Sequence, residues 1–417
     1  MDDRPKLRAL EAIPVQDGGE VVVLLRDPSA ISGQTLAVPG RVYNLLTMLD
    51  GQRSLLEIRE EYLRRFRRSV SMDQLEGLVK KLDGALFLEN GRFYEARRMA
   101  LESFRKLRVR PAAHAGAAYD MDPDMLAEKL DTYFRDEAGP GPLDEEPRGA
   151  LSKLRGQGLL GALAPHIDPA RGRSSYAWTY KALAAISDAD LFVVLGTAHQ
   201  MCEGLYIPLD MDFDTPLGVV ESDSDFMARL GRRYPLASED DVLVHRSEHS
   251  IEFQAVFLRH AMGSRRVMIA PILCSSLLRF VDGANDPMRE PVVSDFVAAL
   301  RDVIAETGRK VCVLGGVDLA HLGPKFGHEY IVREPELAEA KEDDLRLLKP
   351  VSEGDGLGFW RAIAADNDSR NVCGATAIYT LLQVIAPCRG WLLDYGQAPE
   401  PETKSAVTFA SMVFAGA

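Results

Sequence analysis

Hydrophobic and polar positions follow two different patterns in this chain, one within the first hundred residues and another after residue 158. Apolar runs at 20–25 and 35–38, separated by turn-forming residues, predict a β-hairpin. Three segments then repeat apolar residues at i, i+3, i+4 and i+7, which predicts three short helices. Their apolar positions are Val42, Leu45, Leu46 and Leu49, then Leu55, Ile58, Tyr62 and Phe66, then Met72, Leu75, Val79 and Leu82.

Capping and turn residues define where these helices begin and end. Two of them start with capping boxes, in which a hydroxyl and a carboxylate or amide satisfy the free N–H groups of the first turn. The boxes are Ser54 with Glu57 and Ser71 with Gln74. Asn90-Gly91 joins two further apolar runs, 85–88 and 92–94, and predicts a second, tight hairpin. Three helices and a β-wing are typical of a small winged-helix domain, which we assign to residues 1–100.

The segment from about residue 20 to 95 resembles the PqqD-like family of peptide-recognition winged helices. The motifs that carry the resemblance are Tyr43-Asn44-Leu45-Leu46, Leu49-Asp50-Gly51, Ser54-Leu55-Leu56-Glu57-Ile58 and Leu82-Asp83-Gly84-Ala85-Leu86-Phe87. The resemblance implies that a leader peptide is captured as an added strand. Two alternatives stay open: a structural or dimerising module with a solvated arginine face, and a DNA-binding domain that uses the arginines at 64–68. Basic and acidic residues nearly balance within 1–100, so no basic face dominates.

The second pattern predicts an α/β fold. Residues 96–110 indicate a connecting helix or linker, and we assign residues 108–417 to a second domain. From residue 158, short apolar strands alternate with helical segments, as expected for a helix-flanked parallel or mixed sheet. The predicted strands are 159–164, 191–196, 267–272 and 311–315, and the predicted helices are 176–186, 249–260 and 293–306.

Histidines and an aspartate follow three of these strands. His166 comes directly after the first strand, His199 after the second, and Asp318 and His321 after the strand at 311–315. Because ligands bind beyond the carboxyl ends of the strands in open α/β sheets, these side chains can meet in one crevice. Two imidazoles with an anionic or thiolate ligand suit a mononuclear metal site. One such histidine alone is more often a buried, hydrogen-bonded residue, but three at equivalent positions favour a metal.

Composition narrows the class of protein and its partners. The chain is 46% hydrophobic and 27% charged, without a secretory signal or an apolar run long enough to span a bilayer. Its five cysteines include no C-x-x-C pair, which argues against a disulfide framework or zinc knuckle and favours a reducing cytosol. A formal net charge of −13 opposes binding to nucleic acid or anionic membrane. We therefore expect a cytoplasmic protein with neither as a partner.

The second domain, over about residues 108–417, resembles the Memo family, which includes the AmmeMemoRadiSam system protein B. The motifs that carry the resemblance are Ala115-Gly116-Ala117-Ala118-Tyr119, Asp122-Pro123, Ala164-Pro165-His166, Asp214-Thr215-Pro216-Leu217-Gly218, Glu248-His249-Ser250-Ile251-Glu252-Phe253-Gln254, Asp318-Leu319-Ala320-His321 and Cys373-Gly374. The family resembles class III extradiol dioxygenases in fold and holds its metal on two histidines and a cysteine. The resemblance therefore implies His166, His199 and Cys373 as ligands, with Fe(II) as the expected metal and copper or zinc as alternatives.

The resemblance also implies roles for neighbouring groups. His321 corresponds to the general acid/base histidine of the dioxygenases, and Asp318 is expected to orient it. His249 and Glu248 are expected to support the metal ligands from behind, although helix capping and surface solvation explain them equally well. Cys373 precedes a helical pattern, so the helix N-terminus is expected to favour its thiolate.

These inferences predict a Memo-like metal-binding redox protein, a mononuclear non-heme iron oxygenase that acts with a radical-SAM partner on a small-molecule or peptide-linked substrate. The alternative is a non-catalytic adaptor that binds a peptide or a metal and recruits a partner. Zinc-dependent hydrolysis is less well supported because the chain has no H-E-x-x-H motif. The chain also departs from the family pattern at Ile167-Asp168-Pro169, His199-Gln200 and Gly315-Gly316, so the resemblance does not transfer a substrate.

Overall fold

The computed structural model describes residues 3–17, 20–147 and 149–417. The chain divides into two compact units, Met1–Lys106 and Leu107–Ala417. No helix in the described ranges combines the length and apolarity needed to cross a bilayer.

The first unit contains a three-stranded antiparallel sheet followed by four helices. The strands are β1 Glu11–Asp17, β2 Glu20–Arg26 and β3 Thr35–Pro39, and the helices are α1 Gly40–Leu46, α2 Leu55–Phe66, α3 Met72–Gly84 and α4 Gly91–Arg105. The predicted β2–β3 hairpin and the three helices that follow it are confirmed. Both capping boxes form, since the Ser54 and Ser71 hydroxyls accept the backbone N–H groups of Glu57 and Gln74.

The predicted second hairpin is wrong. Asn90 does not sit in a turn between strands but caps the N-terminus of α4, where its side-chain oxygen accepts the backbone N–H of Phe93 at 3.1 Å. Asparagine is favoured at helix N-caps as well as in tight turns, so Asn90-Gly91 was compatible with either structure. The wing of the expected winged helix is therefore a helix here, and the sheet of this unit precedes its helices.

A buried ion pair stabilises the first unit beside its apolar core. Leu25, Ile58, Leu75 and Leu82 are at most 1% exposed within that core. Arg8 donates to both carboxylate oxygens of Asp27, and its guanidinium lies 3.7 Å from the centre of the Phe93 ring. The segment before β1, the β2–β3 loop and α4 are thereby connected.

The second unit is built around a nine-stranded mixed sheet within the described residues. Its strands and those of a small parallel pair are β4 Val109–Arg110, β5 Leu159–Ala164, β6 Leu191–Thr197, β7 Tyr206–Pro208, β8 Asp212–Phe213, β9 Glu221–Ser222, β10 Met268–Cys274, β11 Val311–Gly316, β12 His321–Leu322, β13 Cys388–Glu400 and β14 Ser405–Gly416. Its helices are α5 Pro123–Arg135, α6 Ala150–Lys153, α7 Pro169–Ile186, α8 Ser224–Arg233, α9 Glu252–Met262, α10 Pro291–Glu306, α11 Glu334–Ser352, α12 Gly356–Ala364 and α13 Ala375–Ile385.

The four strands predicted from apolar runs form the parallel centre of this sheet. The strand order is β12-β14-β5-β11-β6-β10-β7, with β13 paired to β14 and β9 to β10. Strands β5, β11, β6 and β10 run parallel, whereas β14 joins β5 antiparallel and β7 joins β10 antiparallel. The predicted α/β class with a mixed sheet is confirmed. The long β13–β14 hairpin was not predicted.

Helices cover both faces of the sheet. A Cβ added to Gly315 would meet Leu381 of α13, whereas one added to Gly316 would meet Gln254 of α9. Because successive strand residues point to opposite faces, α13 and α9 lie on opposite sides of β11. The same Cβ at Gly316 would lie 2.5 Å from the carbonyl oxygen of Ser250, so this close approach requires glycine.

Candidate metal centre

Side chains from two strand ends and one helix start meet at the carboxyl edge of the sheet. His166 follows β5, His199 follows β6, and Cys373 lies just before α13. One ligand atom from each of these residues lies within 4.8 Å of the other two. The adjacency of β5, β11 and β6 produces this convergence, since their carboxyl ends open onto the same crevice.

Hydrogen bonding fixes the tautomer of His166. Its Nδ1 lies 2.9 Å from the carbonyl oxygen of Gly316, which can only accept, so Nδ1 carries the proton. The lone pair of Nε2 is then directed toward the Cys373 sulfur, 3.3 Å away. Burial, together with the neighbouring His199, lowers the pKa of His166 to about 3. The imidazole is therefore neutral, which is the form that binds metal ions.

A buried carboxylate orients His199. Glu248 accepts the Nδ1–H of His199 at 3.0 Å and its backbone N–H at 3.0 Å. Burial alone would raise the pKa of Glu248, but His199 and these hydrogen bonds outweigh burial and hold the pKa well below its ordinary value. Glu248 is thus ionised, and Nε2 of His199 is left for a ligand. A carboxylate behind a histidine is the arrangement that orients metal-binding imidazoles.

The state of Cys373 differs from the sequence expectation. Burial raises the pKa of its thiol, and the Asp318 carboxylate raises it further, against the lowering effect of the hydrogen bond with His199. The helix start alone therefore does not make Cys373 a thiolate. Deprotonation requires a neighbouring positive charge, which a metal cation at this position would supply.

Asp318 and His321 lie beside the three candidate ligands. Asp318 is 2% exposed and accepts the backbone N–H groups of His166 and Ile167 at 2.9 and 3.2 Å. Its hydrogen bonds therefore fix the segment after β5 rather than the His321 ring, on which its charge still acts by raising the pKa. That imidazole is instead held through Nδ1, 3.2 Å from the carbonyl oxygens of both Leu319 and Asn371. Burial lowers the pKa of His321, which leaves its Nε2 as a proton acceptor.

His249 stands behind the centre, next to His199. Their rings stack with centroids 4.8 Å apart, and the His249 backbone N–H donates to Glu248 at 2.8 Å. His199, Glu248 and His249 form a second group with metal-binding spacing. The oxygens of Glu248 already accept N–H groups from His199, His249 and Ser250, however, so this second group is the poorer metal site. Glu248 itself is neither a helix cap nor a solvated surface residue.

The centre opens into a pocket of about 520 Å³. His199, Cys373 and His321 line the pocket, whereas His166 and Asp318 lie below it, almost fully buried. Its volume lies in the range of pockets that bind small organic molecules.

A second buried cluster, absent from the sequence inferences, supports Glu248 from behind. Arg110 is fully buried, pairs with the carboxylate of Glu252, and donates to the carbonyl oxygens of His245 and Glu248, each at 2.7 Å. Tyr119 donates its hydroxyl proton to Glu252 at 2.5 Å. Periodicity does not reveal this cluster, because residues far apart in sequence form it. Its signals in the sequence were the two motifs that contain Tyr119 and Glu252.

The donor set fits a transition metal. Two imidazole nitrogens and one sulfur suit iron, copper or zinc, whereas magnesium and calcium prefer all-oxygen sites. The lone pair of His166 Nε2, beside the sulfur and with its own Nδ1–H satisfied, is the feature expected of such a ligand.

Comparison with known proteins places this fold and site in a family. The family model for Memo-like protein matches residues 110–413. A MEMO1 family protein of Aquifex aeolicus is 25% identical over 414 residues, which cover 99% of this chain and 100% of that protein. Another from Methanopyrus kandleri is 28% identical over 309 residues, covering 73% of this chain and 98% of that protein. A third, from Thermus thermophilus, is 27% identical over 362 residues, which cover 87% of this chain and 99% of that protein. With most of its length matched by the family model, the chain belongs to the Memo family.

Proposed function

We propose that this protein is a metal-dependent redox enzyme that holds one Fe(II) ion on His166, His199 and Cys373. The observation that carries the proposal is the convergence of two imidazole nitrogens and one sulfur within 4.8 Å at the base of a pocket. Fe(II) bound there would supply Lewis acidity and one-electron chemistry toward dioxygen. Copper and zinc suit the same donors and remain the competing metals.

The protein's own groups prepare this site for substrate. Glu248 holds the His199 ring in a fixed tautomer, and the Gly316 carbonyl does the same for His166. His321 lines the pocket with Nδ1 fixed as a donor, so its Nε2 can accept a proton from a bound substrate hydroxyl or amine. The pocket is the binding place for a small molecule or for one side chain of a peptide.

The first unit serves partner recognition in this proposal. Its sheet has two edge strands, β1 and β3, each paired only with β2 among the described residues. An unpaired edge accepts an extended peptide as an added strand, which supports delivery of a peptide-linked substrate. A radical-SAM enzyme acting on the same substrate is the partner we propose for the complex.

Metal analysis of anaerobically purified protein tests the proposal. We expect about one iron per chain in the wild type, and a loss of most metal in His166→Ala and in His199→Ala. His260→Ala provides a matched control, because His260 pairs with Asp131 away from the centre. Equal metal content in all four proteins would refute the assignment.

Oxygen consumption then separates an enzyme from the alternative, a non-catalytic adaptor. An electrode measurement on iron-loaded protein with candidate substrates should show uptake that depends on His199 and His321. Metal binding without substrate-dependent uptake across the substrates tested would favour the adaptor.

A further inference from the structure

The pocket wall contains an acidic residue. Among the described residues, no lysine or arginine lines the pocket to pair with it. Asp368 lines the pocket and is partly buried in the loop between α12 and α13. Its Oδ1 accepts the backbone N–H of Val372 at 2.8 Å. Its Oδ2 has no hydrogen-bond or ion-pair partner among the described residues. This oxygen is also not fully enclosed by the surrounding protein. One carboxylate oxygen is therefore free to bind a ligand.

The loop that carries Asp368 is held firmly. Arg370 pairs with Asp344, which is fully buried, and the Arg370 carbonyl oxygen accepts the backbone N–H of His321 at 2.8 Å. The arginine closest in sequence to Asp368 is thus engaged elsewhere. Asp368 and Asn371 adopt φ values of 53° and 51°, a left-handed conformation that aspartate and asparagine tolerate better than most residues.

Charge and shape in the pocket favour one class of ligand. No lysine or arginine lines the pocket in the described part of the chain, so away from the metal centre its wall holds no side chain that is always cationic. Phe326 and Leu278 give the wall aromatic and aliphatic surface. A ligand that matches both features has an apolar body and a cationic group.

We propose that this pocket selects substrates with a positively charged nitrogen, an amine or a guanidinium, which Asp368 binds while the apolar part lies against Phe326 and Leu278. The proposal deepens the proposed function, on which it rests in treating the pocket as the substrate site of the metal centre. Burial raises the pKa of Asp368 to about 6, with Asp366 adding to the rise. Arg370 lowers this pKa but is paired with Asp344, so a cationic ligand at Oδ2 would stabilise the charged form of Asp368 further.

The alternative is that Asp368 only stabilises its own loop through the bond to Val372. In that case the charge of its side chain would not affect ligand binding. Asparagine retains a side-chain oxygen for the Val372 N–H and tolerates the same φ, so Asp368→Asn preserves the loop. It removes only the negative charge. Asp366→Asn is the matched control, since Asp366 is exposed, lies in the same loop and removes the same charge.

Three near-isosteric probes measure the preference by calorimetry at pH 8, where Asp368 is ionised. They are (2-phenylethyl)guanidinium, the neutral (2-phenylethyl)urea, and 3-phenylpropanoate as the anion. We expect full-length metal-loaded protein to bind the guanidinium at least about tenfold more tightly than the urea, because a charge-assisted hydrogen bond forms with the free carboxylate oxygen. Asp368→Asn should abolish this ratio, and Asp366→Asn should keep it.

Three results would overturn the proposal: no binding of the guanidinium at millimolar concentration, equal affinity for guanidinium and urea, or loss of the ratio in both variants alike. Metal content of the same samples distinguishes this failure from failure of the proposed function. Asp368→Asn should hold as much metal as the wild type. A wild-type protein without metal would refute the metal proposal, while the probe ratio would still decide the role of Asp368.

Discussion

Glu248 shows how one buried carboxylate determines the chemistry of its neighbours. It is 3% exposed and accepts hydrogen bonds from His199, His249 and Ser250. Each charge-assisted bond is stronger than a neutral one, and together they keep a charge buried that would otherwise be costly. The result is a fixed His199 ring whose other nitrogen faces Cys373. Nothing in the spacing of Glu248 and His199, 49 residues apart, indicates this pairing.

At the same scale, Cys373 is the proposed ligand on which the metal interpretation most depends. We expect Cys373→Ser to lower metal affinity by more than the ten- to hundredfold typical of losing a supporting group, because it removes the soft donor itself. Cys312→Ser is the control: Cys312 lies inside β11, and burial raises the pKa of its thiol to about 12. That variant should keep its affinity near the wild-type value.

A competition titration with a chelator measures both variants. Equal affinities would remove Cys373 from the site. Asp318 would then be the anionic ligand, since its Oδ2 already lies 3.6 Å from Nε2 of His166.

Among the elements, the segment from Glu248 into α9 connects the strand-end loops. Ser250 donates its hydroxyl to the Thr197 carbonyl oxygen at 2.8 Å, and Gln254 donates to the Pro165 carbonyl oxygen at 2.9 Å. The loops after β6 and β5 are therefore held by one element. Arg110, at the end of β4, holds that element in turn through the carbonyl oxygen of Glu248.

Arg110→Ala should destabilise the protein by about 3–5 kcal/mol, because it leaves the Glu252 carboxylate buried without its ion-pair partner. Denaturant unfolding of the full chain, followed by a probe in the second unit, gives the free energy. Arg266→Ala removes an exposed pair with Glu221 and should cost no more than about 1 kcal/mol. Similar losses in the two variants would show that the Arg110 cluster is not needed for stability.

The sequence predicted the parallel strands at the centre of the sheet but not the strands at its edges. Strands β5, β6, β10 and β11 are short apolar runs bounded by turn residues, and all four were recognised. Strand β13 was missed because it alternates irregularly between exposed and half-buried positions, and its pairing with β14 is long. Helix α4 was misassigned because Asn90 suits two local structures. Strand ends indicated His166 and His199, whereas Arg110 required the tertiary structure.

At the scale of the whole molecule, the two units differ in which relatives contain a matching region. The family model begins at residue 110, and the Methanopyrus kandleri relative matches 73% of this chain with 98% of its own length. The Aquifex aeolicus relative matches 99% of this chain, so it has a counterpart of the first unit as well. A region similar to the second unit therefore occurs in relatives with and without a region matching the first hundred residues.

This distribution predicts that a chain beginning at Leu107 retains the metal centre. All three proposed ligands, with Glu248 and Arg110 behind them, belong to the unit Leu107–Ala417. We expect the truncated protein to bind the same amount of metal per chain as the full-length protein, with a chelator competition constant within about threefold. Binding of peptides encoded beside the gene, measured by titration, should be lost in the truncated chain only. A fall in metal content after truncation would show that the first unit completes the site, and peptide binding retained by the truncated chain would remove the recognition role from residues 1–100.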